Sequence, residues 1–164
     1  QKLASLTTNG LNNVSFELIQ LADYEAPLYA KQREVDNGIP EEIIALRKLF
    51  DECDGFIIST PEYNSSIPAG LKNTFDWISR MDGKTFQDKP VLLMSATPGG
   101  RGGKSVLDHL SAIIPFWGAS EVIRFSLPTF YENFLGNTLA EPFSSELNIT
   151  IQQFEKAILA DSNS

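Results

Sequence analysis

An aromatic ring, an amide, a carboxylate and two prolines crowd into Thr60-Pro61-Glu62-Tyr63-Asn64-Ser65-Ser66-Ile67-Pro68. The apolar run before them, Phe56-Ile57-Ile58, reads as a short buried strand. Leu71, Phe75 and Ile78 after them recur at helical spacing. A strand–loop–helix corner of this composition can hold a flat polar heterocycle. The loop from Pro61 to Asn64 offers backbone donors at residues 62–64, Asn64 adds a side-chain amide, and Tyr63 can pack beside a ring. Open α/β sheets bind ligands at such loops, outside the carboxyl ends of their strands. Glu62 is a carboxylate within reach, but one acid in a loop does not define a general base.

A second cluster follows the apolar run Val91-Leu92-Leu93-Met94. Gly99, Gly100, Gly102 and Gly103 lie around Arg101, with the hydroxyls of Ser95 and Thr97 just ahead. Glycine lets a backbone approach a flat ligand closely and adopt positive φ. Amide N–H groups aimed at developing negative charge stabilise it. Arg101 can meet phosphate groups or simply stand in solvent. No G-x-G-x-x-G fingerprint follows a first strand, so no Rossmann-type dinucleotide site is expected. His109 falls mid-helix and reads as a surface or packed residue. Cys53 lies on the apolar stripe of its helix without an activating neighbour and reads as an inert thiol. One cysteine excludes a disulfide framework and a cysteine-based zinc cluster. No catalytic acid or base and no metal ligands are nominated.

These loops need a scaffold. The pattern predicts a helix from the first residues to Asn9-Gly10, with Gly10 as a left-handed cap, and a strand over 14–21. A loop is expected over 23–37, then a helix from Pro40 carrying Ile43, Leu46, Leu49, Phe50 and Cys53. The strand at 56–59, the corner and its helix, and the strand at 91–94 come next. A helix within 104–115, a strand over 121–127, an irregular stretch over 128–143 and an amphipathic helix over 147–159 complete the order. Strands alternating with helices predict an α/β fold with a parallel sheet covered on both faces. A chain of 164 residues favours one domain over 1–164. The net charge of −8 argues against nucleic acid and against anionic membranes as partners. No apolar run is long enough to cross a bilayer and no signal peptide is visible, so the cytoplasm is the expected location.

With these residues in view, the chain resembles the NADPH-dependent FMN reductase family, which includes quinone, azo-dye and chromate reductases of flavodoxin-like fold. The resemblance rests on Pro61-Glu62-Tyr63-Asn64, on Pro68 and Gly70-Leu71-Lys72-Asn73, and on Asp76-Trp77. Lys89-Pro90-Val91, Ser95 and the segment Gly99-Gly100-Arg101-Gly102-Gly103 reinforce it. It implies a three-layer sandwich around a five-stranded parallel sheet in the order 2-1-3-4-5, with FMN at the carboxyl edge. Flavodoxin itself exemplifies this switch-point rule in general accounts of the fold. Family members begin with a strand and a phosphate loop of the form Ser-x-Arg-x-x-Ser-x-Asn. Gln1-Lys2-Leu3 corresponds to the helix that follows that loop, so the first strand is expected upstream of the sequence. Without it, strands two and three would stand roughly 9 to 10 Å apart, too far to pair.

The cofactor-binding set implied by the resemblance is Pro61, Glu62, Tyr63, Asn64, Ser95, Thr97, Gly99, Gly100, Arg101, Gly102 and Gly103. The reductant would be NADPH or NADH, stacked over an exposed flavin face. The acceptor would be a small molecule: a quinone, an azo compound, a metal oxyanion or free flavin. A homodimer or homotetramer is implied, with Asp76, Trp77, Phe116 and Trp117 as candidate contacts. The alternative is an FMN-binding electron carrier or regulatory module without nicotinamide reactivity.

Overall fold

The computed structural model describes residues 1–161. Its elements in chain order are α1 (Lys2–Asn9), a 3-10 turn (Leu21–Tyr24), α2 (Lys31–Asn37), α3 (Glu41–Glu52), β1 (Phe56–Ser59), α4 (Ala69–Ile78), β2 (Lys89–Ala96) and α5 (Lys104–Ile113). A second 3-10 turn (Ile114–Trp117), β3 (Ala119–Leu127), α6 (Phe130–Asn133), β4 (Phe134–Leu135), β5 (Thr138–Leu139) and α7 (Phe143–Asp161) follow.

Strands β1, β2 and β3 form a parallel sheet in that spatial order. Phe56 stands beside Val91, and Leu92 beside Ile123. The central strand β2 is buried along Val91 to Ser95, as a strand covered on both faces must be. Its side chains alternate between two cores. Val91 and Leu93 join Ile43 and Leu46 of α3, Leu71 and Phe75 of α4, and Leu107 and Leu110 of α5. Leu92 and Met94 join Leu3 of α1 and Leu147, Ile151, Phe154 and Ile158 of α7 on the opposite face. The result is helices on both faces of a parallel sheet, the doubly wound α/β arrangement.

Five expectations are corrected. The parallel sheet has three strands, not five, among the described residues. Residues 14–20 form no strand. The alternation of Val14, Phe16 and Leu18 is not an inside–outside pattern, since Phe16 and Leu18 are both about half exposed, at 52% and 53%. Val14 packs on the core on the α7 side, and Ile19 and Leu21 pack on the other. Among the described residues no strand pairs with this stretch, and a strand without a ladder has nothing to fix it.

The stretch expected to be a loop over 23–37 contains α2. That helix buries no residue, so it leaves no apolar period in the sequence. The irregular stretch over 128–143 holds α6 and the two-stranded hairpin β4–β5, turned at Gly136 with φ 66°. Gly10 caps α1 in the right-handed region, φ −87°. A Cβ there would come within 2.8 Å of Ile151 Cδ1 on α7, so the tip of that side chain would have to shift.

Candidate active site at the carboxyl edge of the sheet

The loops after β1, β2 and β3 emerge side by side at one edge of the sheet. The ladder runs on past the strands: Thr60 N–H donates to Met94 O at 2.9 Å, and Thr97 N–H to Leu127 O at 3.1 Å.

The loop after β1 closes on itself as a tight turn. Tyr63 N–H donates to Ser66 O at 3.2 Å, and Ser66 N–H to Tyr63 O at 3.0 Å. Asn64 and Ser65 between them have φ of 49° and 59°. Positive φ at both central residues is the hairpin-turn geometry, and Asn is among the few side chains that accept it readily. Tyr63 is 61% exposed at this turn. A large apolar ring held in solvent by a rigid turn is a surface for a ligand. Pro61 and Asn64 are exposed beside it, whereas the Glu62 side chain is only 14% exposed.

The glycine loop after β2 divides into two chemically distinct pairs. Gly102 and Gly103 are buried, with φ of 57° and 74°. A Cβ on Gly102 would stand 2.2 Å from Ser126 Oγ, and one on Gly103 would stand 2.1 Å from Ser95 Oγ. These two glycines are demanded by the protein's own packing. Gly99 and Gly100 are exposed, are not in the left-handed region, and have nothing within 4 Å of a would-be Cβ. Neither backbone strain nor packing explains them, so the open space in front of them is where a ligand can approach the bare backbone. Among the described residues, the amides of Glu62, Asn64, Gly99, Gly100 and Arg101 donate to no acceptor. That set of unpaired donors along two adjacent loops fits the hydrogen-bonding edge of a flavin ring.

The glycine loop is held from the β3 side. Thr129 N–H donates to Gly99 O at 3.1 Å and Phe130 N–H to Thr97 O at 3.0 Å, while Ser126 Oγ–H donates to Gly102 O at 2.8 Å. Thr129 has φ of 41°. This support, and the exposed Tyr131 beyond it, lay in the stretch read as irregular. Pro128 ahead of Thr129 was the one local sign of a shaped turn.

The expected site residues therefore separate by position. Tyr63, Asn64, Pro61, Gly99, Gly100 and Arg101 present accessible groups at the same edge. Thr97 donates its hydroxyl to Gly99 O at 3.1 Å and shapes the loop. Ser95 is fully buried beneath Gly103, and its hydroxyl has no hydrogen-bond partner among the described residues. Glu62 turns away from the cleft: its Oε2 accepts the Val106 N–H of α5 at 3.1 Å. The Arg101 guanidinium bonds Ser105 Oγ and lies 4.0 Å from Glu62 Oε1.

His109 is exposed on α5, and its Nδ1 lies 3.1 Å from Ser66 Oγ. Cys53 follows α3, half-buried, and burial pushes its thiol pKa up, away from the reactive thiolate. Among the described residues no group of His, Cys, Asp and Glu could hold a metal ion. No helix among the described residues is long and apolar enough to cross a membrane.

Two motif residues have a role that their sequence context hid. Trp77 is fully buried in this chain's own core, so it is not a contact for a partner. Its Nε1–H donates to Pro27 O at 2.7 Å, and its ring meets Tyr29 edge-on, with centroids 5.1 Å apart. One turn earlier, Asn73 Oδ1 accepts the Tyr29 N–H at 2.8 Å and Asn73 Nδ2 donates to Ala26 O at 3.0 Å. Together they pin the segment 26–29 against α4. Asp76 pairs with Lys72 on the same helix, and Trp117 packs on Phe75. Phe116 alone of the expected contact aromatics stands in solvent, 86% exposed.

Two concavities lie away from this edge. One of about 410 Å³ is lined by Asn13, Gln152, Glu155 and Lys156. Another of about 290 Å³ lies between α1, β5 and α7. Neither brings unpaired amides and an exposed aromatic ring together, so the loop edge is the stronger candidate on chemistry.

Helices on both faces of a parallel sheet, with a glycine loop and an aromatic turn at its carboxyl edge, place the chain among the doubly wound α/β proteins. Residues 1–131 match the family described as NADPH-dependent FMN reductase, and the chain belongs to that family. It is 35% identical over 116 residues to a quinone reductase of Escherichia coli (strain K12), a match spanning 71% of this chain and 57% of that protein. It is 30% identical over 130 residues to a 2-hydroxy-1,4-benzoquinone reductase from a Burkholderia species, spanning 79% of this chain and 66% of that one. The chain thus spans less than two thirds of the length of these curated relatives.

Among solved structures, the flavoenzyme NAD(P)H:(acceptor) oxidoreductase FerB from Paracoccus denitrificans aligns with a TM-score of 0.78 at 23% identity, covering 97% of this chain and 88% of FerB. An FMN-dependent NADH-azoreductase from Bacillus anthracis, solved with FMN, aligns with a TM-score of 0.57 at 17% identity, covering 97% and 87%. At these identities the structural likeness speaks to the fold.

Proposed function

We propose that this protein is an FMN-dependent NAD(P)H oxidoreductase that reduces a small acceptor such as a quinone or an azo compound. The observation that carries the reading is the pair Gly99 and Gly100. Their amides are unpaired, the space before them is open, and Tyr63 stands exposed on the adjacent loop. FMN, when bound, supplies a ring that takes a hydride from a nicotinamide and passes electrons to the acceptor.

The protein's part is positional and electrostatic. The amides of Gly99, Gly100 and Arg101 would place donors where negative charge develops on the ring, as an oxyanion hole does. Tyr63 would cover one side of the crevice and the Asn64 amide would bond its polar edge. Ser95 and Gly103 would act from beneath, shaping the loop rather than touching the ligand. Arg101 is exposed at the mouth, where it can meet a phosphate of the nicotinamide dinucleotide.

No side chain is assigned as a proton donor, because hydride transfer requires close approach and orientation rather than an acid. The solvent-exposed position of Tyr63 suits a crevice that admits flat acceptors of several kinds. The reading extends to a cytoplasmic enzyme that associates as a homodimer or homotetramer, with Phe116 the aromatic best exposed to meet a second copy.

The test is anaerobic stopped-flow mixing of the FMN-loaded protein with NADPH, followed by a quinone. Rapid bleaching of the flavin absorbance and its return on addition of the quinone are expected. A flavin that stays oxidised in NADPH would replace the enzyme reading with that of an electron carrier.

A further inference from the structure

Glu62 belongs to the most distinctive motif of the chain, yet its carboxylate is not offered to the cleft. Oε2 accepts the N–H of Val106, the third residue of α5, and Oε1 faces Arg101. That amide is one of the helix's first-turn donors, which have no acceptor within the helix. Gly103, at the N-cap position, has no side chain with which to satisfy them. A carboxylate at this end of α5 is also favoured by the helix dipole.

At the far end of the same turn, Ser66 Oγ is 3.1 Å from Nδ1 of His109, one turn further along α5. The residues that bracket the exposed Tyr63 and Asn64 are therefore clipped to α5 at Val106 and His109. The glycine loop leads directly into that helix. Glu62 is the side chain that joins the loop after β1 to the loop after β2.

We propose that Glu62 is a positioning residue that sets the separation of the Tyr63 turn and the glycine loop, so that a flat ring meets two walls already in place. The proposal rests on the flavin reading above and deepens it. A crevice whose walls are fixed beforehand spends less binding free energy on ordering them. The bond to Val106 needs an acceptor oxygen at the right reach, and Gln supplies one. Asp keeps the charge but is one methylene shorter, and Ala supplies nothing.

The test uses the intact protein with E62A, E62D and E62Q variants. FMN affinity is read by quenching of flavin fluorescence, and protection of the Val106 amide by hydrogen exchange. E62A is expected to lose Val106 protection and to bind FMN roughly tenfold or more weakly, the scale of one lost charge-assisted hydrogen bond. E62D should lose much of both, and E62Q should recover affinity to within about threefold of wild type with Val106 again protected. If E62A does not fold, the contrast between E62D and E62Q carries the result.

Wild-type-like affinity in E62A or E62D, or equal weakening in E62Q and E62A, would overturn the positioning role. Both outcomes would leave the flavin site standing. A wild-type protein that binds no FMN would remove the functional reading and this role with it, while Val106 exchange would still report whether the clip exists.

Discussion

Alanine at Gly103 and alanine at Gly100 should have opposite consequences, although the two glycines are three residues apart. At Gly103 the backbone has φ of 74°, and a Cβ would lie 2.1 Å from Ser95 Oγ and 2.6 Å from Ser95 Cβ. The left-handed conformation costs a residue with a Cβ about 1–2 kcal/mol. Forcing a methyl group into filled space costs about 1–3 kcal/mol more. Both penalties fall on one buried position, so Gly103→Ala should destabilise the apoprotein by roughly 2–5 kcal/mol.

At Gly100 neither penalty applies, because nothing lies within 4 Å of the new atom. The reduced freedom of the unfolded chain should leave the Gly100→Ala variant as stable as the parent or more stable, by up to about 1 kcal/mol. Its cost should appear only in the complex, where the methyl group takes the space of the ring. There the affinity for FMN should fall about tenfold or more. Urea denaturation of the apoproteins and fluorescence titration with FMN read the two effects separately. A Gly100→Ala variant that binds FMN as tightly as the parent would refute the claim that this glycine is kept for a ligand. A Gly103→Ala variant of undiminished stability would refute the packing argument.

Other expectations follow from individual contacts. Ser95→Ala removes a buried hydroxyl that has no partner. It should leave urea-measured stability unchanged or slightly raised, since no hydrogen bond is lost with it. Trp77→Phe removes the shorter of two hydrogen bonds to Pro27 O, leaving the one from Asn73 Nδ2 at 3.2 Å, and should lower stability by about 0.5–1.5 kcal/mol with increased exchange of the Tyr29 amide.

The buried Glu155 carboxylate accepts N–H groups from Asn12, Asn13 and the Asn13 side chain. The backbone bond from Asn13 leads the effects that hold its pKa below the usual glutamate value, with Asn12 adding to it. The folded state therefore binds its proton less readily than the unfolded chain. The stabilisation is present above the ordinary glutamate range and is lost as pH falls through the lowered folded value. Glu155→Gln should abolish that part of the acid dependence, measured by urea unfolding across acidic pH. Tyr63→Ala removes an exposed ring. It should change stability by no more than about 0.5 kcal/mol while weakening FMN binding.

The sequence conveyed the helices and strands whose apolar spacing reflects burial: α3, β1, α4, β2, α5, β3 and α7. It did not convey α2, because that helix buries nothing and has no period to show. It misled over 14–21, where Val14, Phe16 and Leu18 alternate but Phe16 and Leu18 are about half exposed and no strand pairs with the stretch among the described residues. In the candidate site, residue type marked the glycine loop as a place of positive φ, which Gly102 and Gly103 have, but did not mark the positive φ of Asn64 and Ser65.

What residue type could not do was separate Gly102 and Gly103, fixed by Ser126 and Ser95, from Gly99 and Gly100, which face open space. That distinction depends on side chains more than twenty residues away or on the preceding strand. The same holds for Glu62 and Trp77. Each looks like a surface for a ligand or partner in the linear motif, and each makes its contact inside the protein, with Val106 and Pro27.

The account stands on a flavin lying between the Tyr63 turn and the exposed half of the glycine loop. Titration of isotopically labelled protein with FMN, followed by amide chemical shifts, tests this residue by residue. The largest changes are expected at Asn64, Gly99, Gly100 and Arg101, with little change at Gln152 and Lys156 beside the concavity on α7. Shifts concentrated on α7, with those four amides unmoved at saturating FMN, would contradict it.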